Sequence, residues 1–335
     1  MGGKRYAGLD RFRLVAAVLV VAIHTAPLSD LSETLDFFVT YCAGRLAVPF
    51  FLMLTGYFAE GRTLRAVRRE LLWYAGATAC YLPVTVYAGQ LPKSLGEAAR
   101  WLLFDGTYYH LWYFPAAALG LLITGAFLRR ERWRAAILFA GCAYLVGVFG
   151  DSWYGLASAV PALREGYELL FSFSSYTRNG LFFAPLFLLL GALLRRRGAP
   201  GKERCLMGFL ASLALLLCEG GVTYFFGWQR HNSMYLALPA ASWFLFGLLL
   251  RSGGRCPAFA RDLSLFCYLV HPAGILLVRA GARLTGTTAL LVERALPHFL
   301  AVLAVSAALS ALLCFLKRKG EVLWTRRRER LSSST

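Results

Sequence analysis

The chain has 335 residues, 58% of them hydrophobic and 16% charged, with 36 Lys and Arg against 18 Asp and Glu. Its mean hydropathy is +0.55, and a charged fraction this far below the roughly 25% of soluble domains excludes an ordinary water-soluble globule. The formal net charge of +18 is dispersed over many short loops, which argues against a nucleic-acid partner, since that needs its cations on one face.

The N-terminus, MGGKRYAGLDRFR, is basic and leads into a full apolar span at about 12–28 without a small-residue cleavage pattern, so no cleavable signal peptide is expected. Tyr6 stands where a myristoylation signal needs Ser or Thr. Within FRLVAAVLVVAIH, Arg13 and His24 are separated by eleven positions. That is about three helical turns, so the two side chains share one face, roughly 16 Å apart along the axis. Ionisable groups at such depth face a bundle interior or a wet cavity. A neutral imidazole near the outer end of this span can act as a general base on a hydroxyl. The competing reading is a core histidine bonded to a neighbouring carbonyl. Arg13, with Asp10 three residues before it, lies at the cytoplasmic mouth, where a guanidinium suits a phosphate-bearing donor. An anchor in a basic inner loop is the plainer alternative.

Nine further spans follow, each long enough to cross or nearly cross a bilayer core: about 41–59, 71–89, 111–128, 135–152, 178–194, 205–226, 235–250, 263–280 and 295–316. Arg45 opens the second. Between the third and fourth, LGEAARWLLF at 95–104 has helical apolar spacing and suits the interface, with Trp101 at headgroup depth. YYHLWYFP at 108–115 brings His110, Trp112 and Tyr113 to the start of the fourth span. They form either an aromatic belt or one wall of a site. Asp151 ends the fifth span, and the loop 154–177 carries Tyr154, Tyr167, Phe171, Phe173 and Tyr176, enough aromatic mass to cap a cavity. Arg178 and Asn179 begin the sixth span and Glu219 lies deep in the seventh. His231 is loop-borne before the eighth. His271 in the ninth directly precedes Pro272 and has two readings: it lines a polar cavity, or it bonds the carbonyl that the proline frees. Arg45, Arg178 and Glu219 invite either structural ion pairing or recognition of a charged substrate.

The basic segments 1–13, 62–69, 129–134, 195–204, 251–261 and 317–330 alternate with loops poor in Lys and Arg. By the positive-inside rule this places both termini in the cytoplasm and requires an even number of spans. The expected fold is therefore an all-α integral membrane protein of ten transmembrane helices. One membrane domain fills residues 1–320, and 321–335 form a basic cytoplasmic tail. The eight cysteines show no paired spacing and read as small packing residues, so neither zinc nor a disulfide framework is expected. No phosphate-binding loop or dinucleotide fingerprint is present, and no bound cofactor or metal is expected.

Three segments carry a family resemblance. LDRFRLVAAVLVVAIH resembles the opening helix of the acyltransferase type 3 family, with Arg13, ten intervening residues and His24. PFFLMLTGYF at 49–58 resembles its second-helix pattern, and LSLFCYLVHP at 263–272 its late segment ending in His-Pro. The resemblance runs in order along the whole chain. It implies ten membrane helices in a bacterial plasma membrane and transfer of an acyl group from a cytoplasmic donor, such as an acyl-CoA, to an extracytoplasmic hydroxyl or amine. His24 would then be catalytic and Arg13 and Asp10 would serve the donor. Arg45, His110, Trp112, Tyr113, Arg178, Asn179, Glu219 and His271 would face the acceptor or another small substrate.

VVAIHTAPL, GRLAVPFF, YHLWYFPA, GDSWYGL, TRNGLFFAPLFLLLG, WQRHNSMYL and YLVHP are more specifically similar to the membrane portion of the serine racemases of vancomycin-type resistance. In that subgroup the membrane portion is joined to a cytoplasmic racemase domain and is associated with serine supply. The resemblance therefore implies serine as a small molecule, transport as an alternative to acyl transfer, and a racemase domain or subunit as a partner. The sequence offers no racemase site of its own.

Overall fold

In a computed structural model, residues 6–59, 61–257 and 259–332 are described, with side chains to Glu321. Helices dominate, and no strand occurs among the described residues. The long helices are α1 Ala7–Thr25, α2 Ala47–Phe58, α3 Thr63–Tyr87, α4 Tyr113–Leu128, α5 Trp133–Phe149, α6 Pro161–Phe173, α7 Ala184–Arg197, α8 Lys202–Phe225, α9 Leu238–Arg251, α10 Ala260–Thr285 and α11 Ala295–Ser332. Each expected apolar stretch is carried by one of these, and α6 is the additional helix of the aromatic loop. Among the described residues, four helical runs are long and apolar enough to cross a membrane: Glu33–Phe58, Lys202–Phe225, Ala260–Thr285 and Ala295–Glu321. Leu210, Leu215, Leu277 and Leu312 are exposed on three of these runs, as expected of faces whose solvent is lipid. The expected basic tail at 321–335 lies almost wholly outside the described side chains.

Several helix ends depart from the expected boundaries for local reasons. The sixth stretch begins at Arg178, but α7 begins at Ala184. Asn179 Oδ1 accepts from the backbone N–H of Leu181 and Phe182 at 2.9 and 3.1 Å, and this turn holds the chain out of the helix. Pro185 then sits in the first turn of α7, where its missing N–H costs nothing. In the second stretch the backbone passes through a π-helical segment, Phe37–Cys42, and a 3-10 turn, Ala43–Leu46, before α2. Pro49 cannot donate to the carbonyl of Arg45, four residues back, so the register is broken where Arg45 sits.

The chain packs as two compact units, Met1–Thr40 with Ser252–Thr335 and Tyr41–Arg251. In the first, α1, α10 and α11 pack together around Ala17, Val21, Cys267, Ile275, Val278 and Val302. In the second, α7 is central and packs on α2, α4 and α5. Glycine sets the tightest of these contacts. A Cβ on Gly56 would stand 2.0 Å from the carbonyl oxygen of Leu188, and one on Gly191 would stand 2.1 Å from that of Met53. Small residues permit this backbone approach between membrane helices. The guanidinium of Arg195, near the end of α7, lies over the ring of Tyr57 near the end of α2, 5.4 Å from its centroid.

Candidate functional site

In the first unit Asp10 and His24 of α1 both meet α10, and Arg13 is held by Asp10. At one end Asp10 accepts both nitrogens of Arg261 on α10, at 2.8 and 3.0 Å. The same carboxylate stands 3.4 Å from Nε of Arg13. Asp10 is buried, so it is committed to two guanidiniums and leaves a net positive charge at this end. It orients Arg13, and Arg261 is a partner that sequence reading missed, because an arginine in a basic inner loop has no distinguishing signal. Arg11 anchors the neighbouring loop by donating to the carbonyl of Gly253 at 2.5 Å.

At the other end of α1, the His24 ring stacks on that of His271, with centroids 5.1 Å apart and planes 24° apart. His271 is fully buried, and its Nδ1 lies 2.7 Å from the carbonyl of Tyr268. Tyr268 is four residues before Pro272, so this is the carbonyl that the proline leaves without a backbone donor. Both readings of His271 have support here: it bonds the freed carbonyl, and it meets the imidazole of His24.

The second unit contains a separate polar cluster. Arg178 lies over the rings of Trp112 and Tyr176, at 5.2 and 4.5 Å, and its Nη1 donates to Ser233 Oγ at 3.2 Å. Asp151 Oδ1 accepts from the backbone N–H of Ser233 and Met234 at 2.7 and 2.9 Å. Arg45 lies over Tyr41 at 5.0 Å and is close enough to Arg178 and Asp151 to be coupled to both. No ion pair closes among these three. Arg45 Nε, Arg178 Nε and Asp151 Oδ2 are all buried without a hydrogen-bond partner among the described residues. Such orphaned atoms are costly in a low dielectric. Burial together with the charges of Arg178, Arg45 and Arg230 pushes the loop imidazole of His231 down to about 3, so it is neutral and leaves the cluster positive.

The remaining expected residues have mostly local partners. Asn179 is fully buried and also donates to Ser174 Oγ and the carbonyl of Tyr176, at 3.1 and 2.9 Å. It builds the turn that presents Arg178. Glu219 accepts from Trp153 Nε1 at 2.6 Å and from the backbone N–H of Leu236 and Ala237 at 2.6 and 2.9 Å, so its carboxylate secures the start of α9. His110 is buried among the rings of Tyr81, Tyr108 and Tyr109, 5.1 to 5.7 Å away. Tyr113 shares a 3.4 Å hydrogen bond with Thr55. No group of residues suited to a metal ion occurs among the described residues.

One feature of the second unit went unread in the sequence. A cavity of about 780 Å³ is lined by Arg62, Arg65, Arg68, Arg69, Thr55 and Trp73, among others. The four arginines read as a positive-inside loop, and only their placement at the cap and on the first turns of α3 gathers them around a concavity. Arg69 is paired with Glu70 at 2.7 Å, and the collection of cations suits phosphate.

A family profile described as an acyltransferase domain matches residues 6–315. Among curated proteins, an amino-acid racemase from Enterococcus faecalis is 36% identical over 330 residues, 94% of this chain and 46% of that protein. A serine/alanine racemase from Enterococcus gallinarum is 36% identical over 328 residues, 93% of this chain and 46% of that protein. The chain thus spans about half the length of the curated relatives it matches. No solved structure matches it.

Proposed function

The chain belongs to the acyltransferase type 3 family of membrane proteins, and from that premise we propose that it transfers an acyl group from a cytoplasmic, phosphate-bearing thioester donor to a hydroxyl or amine acceptor. Ten membrane helices with both termini in the cytoplasm of a bacterial cell fit this reading, because the basic loops alternate with poor ones. His24 takes the proton of the acceptor as its oxygen or nitrogen attacks the thioester carbon. The new C–O or C–N bond forms, the C–S bond breaks, and the proton leaves with the thiol. Arg13, held by Asp10, supplies positive charge for the donor.

The single observation that carries this reading is α1 itself, on which a carboxylate that holds the Arg13 guanidinium and the stacked His24 imidazole both meet α10. Replacing His24 by Ala tests it. The expected result is a loss of acyl transfer by about 10²- to 10⁴-fold in protein that keeps its thermal stability. Unchanged turnover removes the assignment.

A second reading is favoured by the cluster of the second unit. Two guanidinium groups and a carboxylate, each with an orphaned atom, are complementary to a zwitterion. Relatives that share this portion are named as amino-acid and serine/alanine racemases. On that reading Arg45 and Arg178 hold the carboxylate of an amino acid such as serine, and the protein supplies it to a racemase domain or subunit, as in vancomycin-type resistance. Asp151, with its second oxygen uncommitted, is then a better partner for the ammonium than Glu219, whose oxygens are already engaged.

A further inference from the structure

The stack of His24 on His271 asks what holds the second ring and in which protonation state. Pro272 lacks an N–H, so the carbonyl of Tyr268 has no donor from the helix backbone. A carbonyl oxygen only accepts, and His271 Nδ1 lies 2.7 Å from it. Nδ1 therefore carries the proton, and in the neutral ring the lone pair is on Nε2.

The surroundings favour the neutral ring. On α10 its titratable neighbours are Cys267 and Tyr268, and the charged positions Arg261, Asp262 and Arg279 are at least eight residues away, about 12 Å along a helix axis. On α1, Asp10 and Arg13 are bound at the far end, and Arg11 holds the Gly253 carbonyl. On α11, His298 Nδ1 contacts the Leu291 carbonyl, Lys317 is paired with Asp262, and Cys314 is buried. Beyond α1, Asp36 accepts from Leu28 and Thr40, Asp30 accepts from Ala295, and Glu33 begins a short helical turn. Asp30 and Asp36 are thus placed on other donors. A fully buried imidazolium at position 271 would carry a large desolvation cost.

We propose that His271 is a positioning residue for His24: a neutral imidazole, locked by the carbonyl that Pro272 leaves open, whose face holds the His24 ring and supports its protonated form. A cation near an aromatic face is attracted by the ring quadrupole. The protonated His24 would form when it takes the acceptor's proton, so the support acts where the reaction needs it. This inference rests on the reading of His24 as the proton-handling group.

The test separates ring from hydrogen bond in full-length protein in lipid nanodiscs. His271→Phe keeps an aromatic face and loses the donor. His271→Asn keeps a donor for the Tyr268 carbonyl and loses the face. The proton affinity of His24 is read from the pH dependence of its carbethoxylation by diethyl pyrocarbonate, followed on the His24 peptide by mass spectrometry, with thermal stability measured alongside. The expected result is a midpoint lowered by about half a pKa unit in the Asn variant and little moved in the Phe variant. An unmoved midpoint in the Asn variant, or a larger shift in the Phe variant, overturns the proposal. No donor or acceptor is present in these measurements. If His24→Ala leaves turnover intact, the acyl-transfer reading fails while the stack remains tested on its own terms.

Discussion

Arg178 shows how a charge gains a task at the residue scale. It rests on Trp112 and Tyr176, bonds Ser233, and keeps a buried Nε without a partner. A lysine there would carry the charge but neither the flat stacking face nor the forked donors. Arg178→Lys should weaken binding of a carboxylate-bearing substrate roughly tenfold to a hundredfold, measured by titrating serine against purified protein, while thermal stability holds. Equal affinity in the two proteins would show that Arg178 serves packing alone. His231 yields a pH expectation. Burial and the neighbouring arginines hold its folded value at about 3, below the ordinary imidazole value of 6.5, so between these limits the unfolded chain binds the extra proton. Stability is therefore lost as pH falls through that window. His231→Asn cannot take the proton, and its melting temperature should fall less than that of the parent between pH 6.5 and 4.5. Identical slopes would mean that His231 does not titrate as expected.

At the element scale, the long apolar helices could be read from composition and length, because a bilayer demands about 20 apolar residues per helix. What could not be read is where each helix stops being regular. The irregular backbone before α2 and α7 carries Arg45 and Arg178, and it arises from Pro49 and from Asn179, whose four hydrogen bonds are all local. Pairings such as Asp10 with Arg261 join residues far apart in sequence, and no periodicity announces them. His24 was legible from its spacing to Arg13, whereas its stack on His271 depends on how α1 and α10 pack. The contact of α2 with α7 gives a direct expectation. Gly56→Ala places a Cβ 2.0 Å from the Leu188 carbonyl oxygen, so the backbones must part, at a cost of about 1–3 kcal/mol. Gly76→Ala on α3 meets nothing within 4 Å and should be nearly neutral. Thermal unfolding of both variants in the same detergent checks the contrast.

At the scale of the whole molecule, the two units carry different chemistry. The unit of α1, α10 and α11 holds the imidazole pair and the Asp10 cluster. The unit of α2 to α9 holds the orphaned arginines and the basic cavity. Family membership favours acyl transfer, whereas the zwitterion-like cluster and the names of the relatives favour carriage of an amino acid. The two readings separate in one measurement. The protein is reconstituted into vesicles, oriented by protease accessibility of its basic loops, with labelled acetyl-CoA on the side of those loops and serine on the other. Acyl transfer by His24 is expected to produce acetylated serine only when acetyl-CoA is present, and to lose that product in His24→Ala. Serine crossing unmodified, at one rate with or without donor and in both proteins, would contradict it.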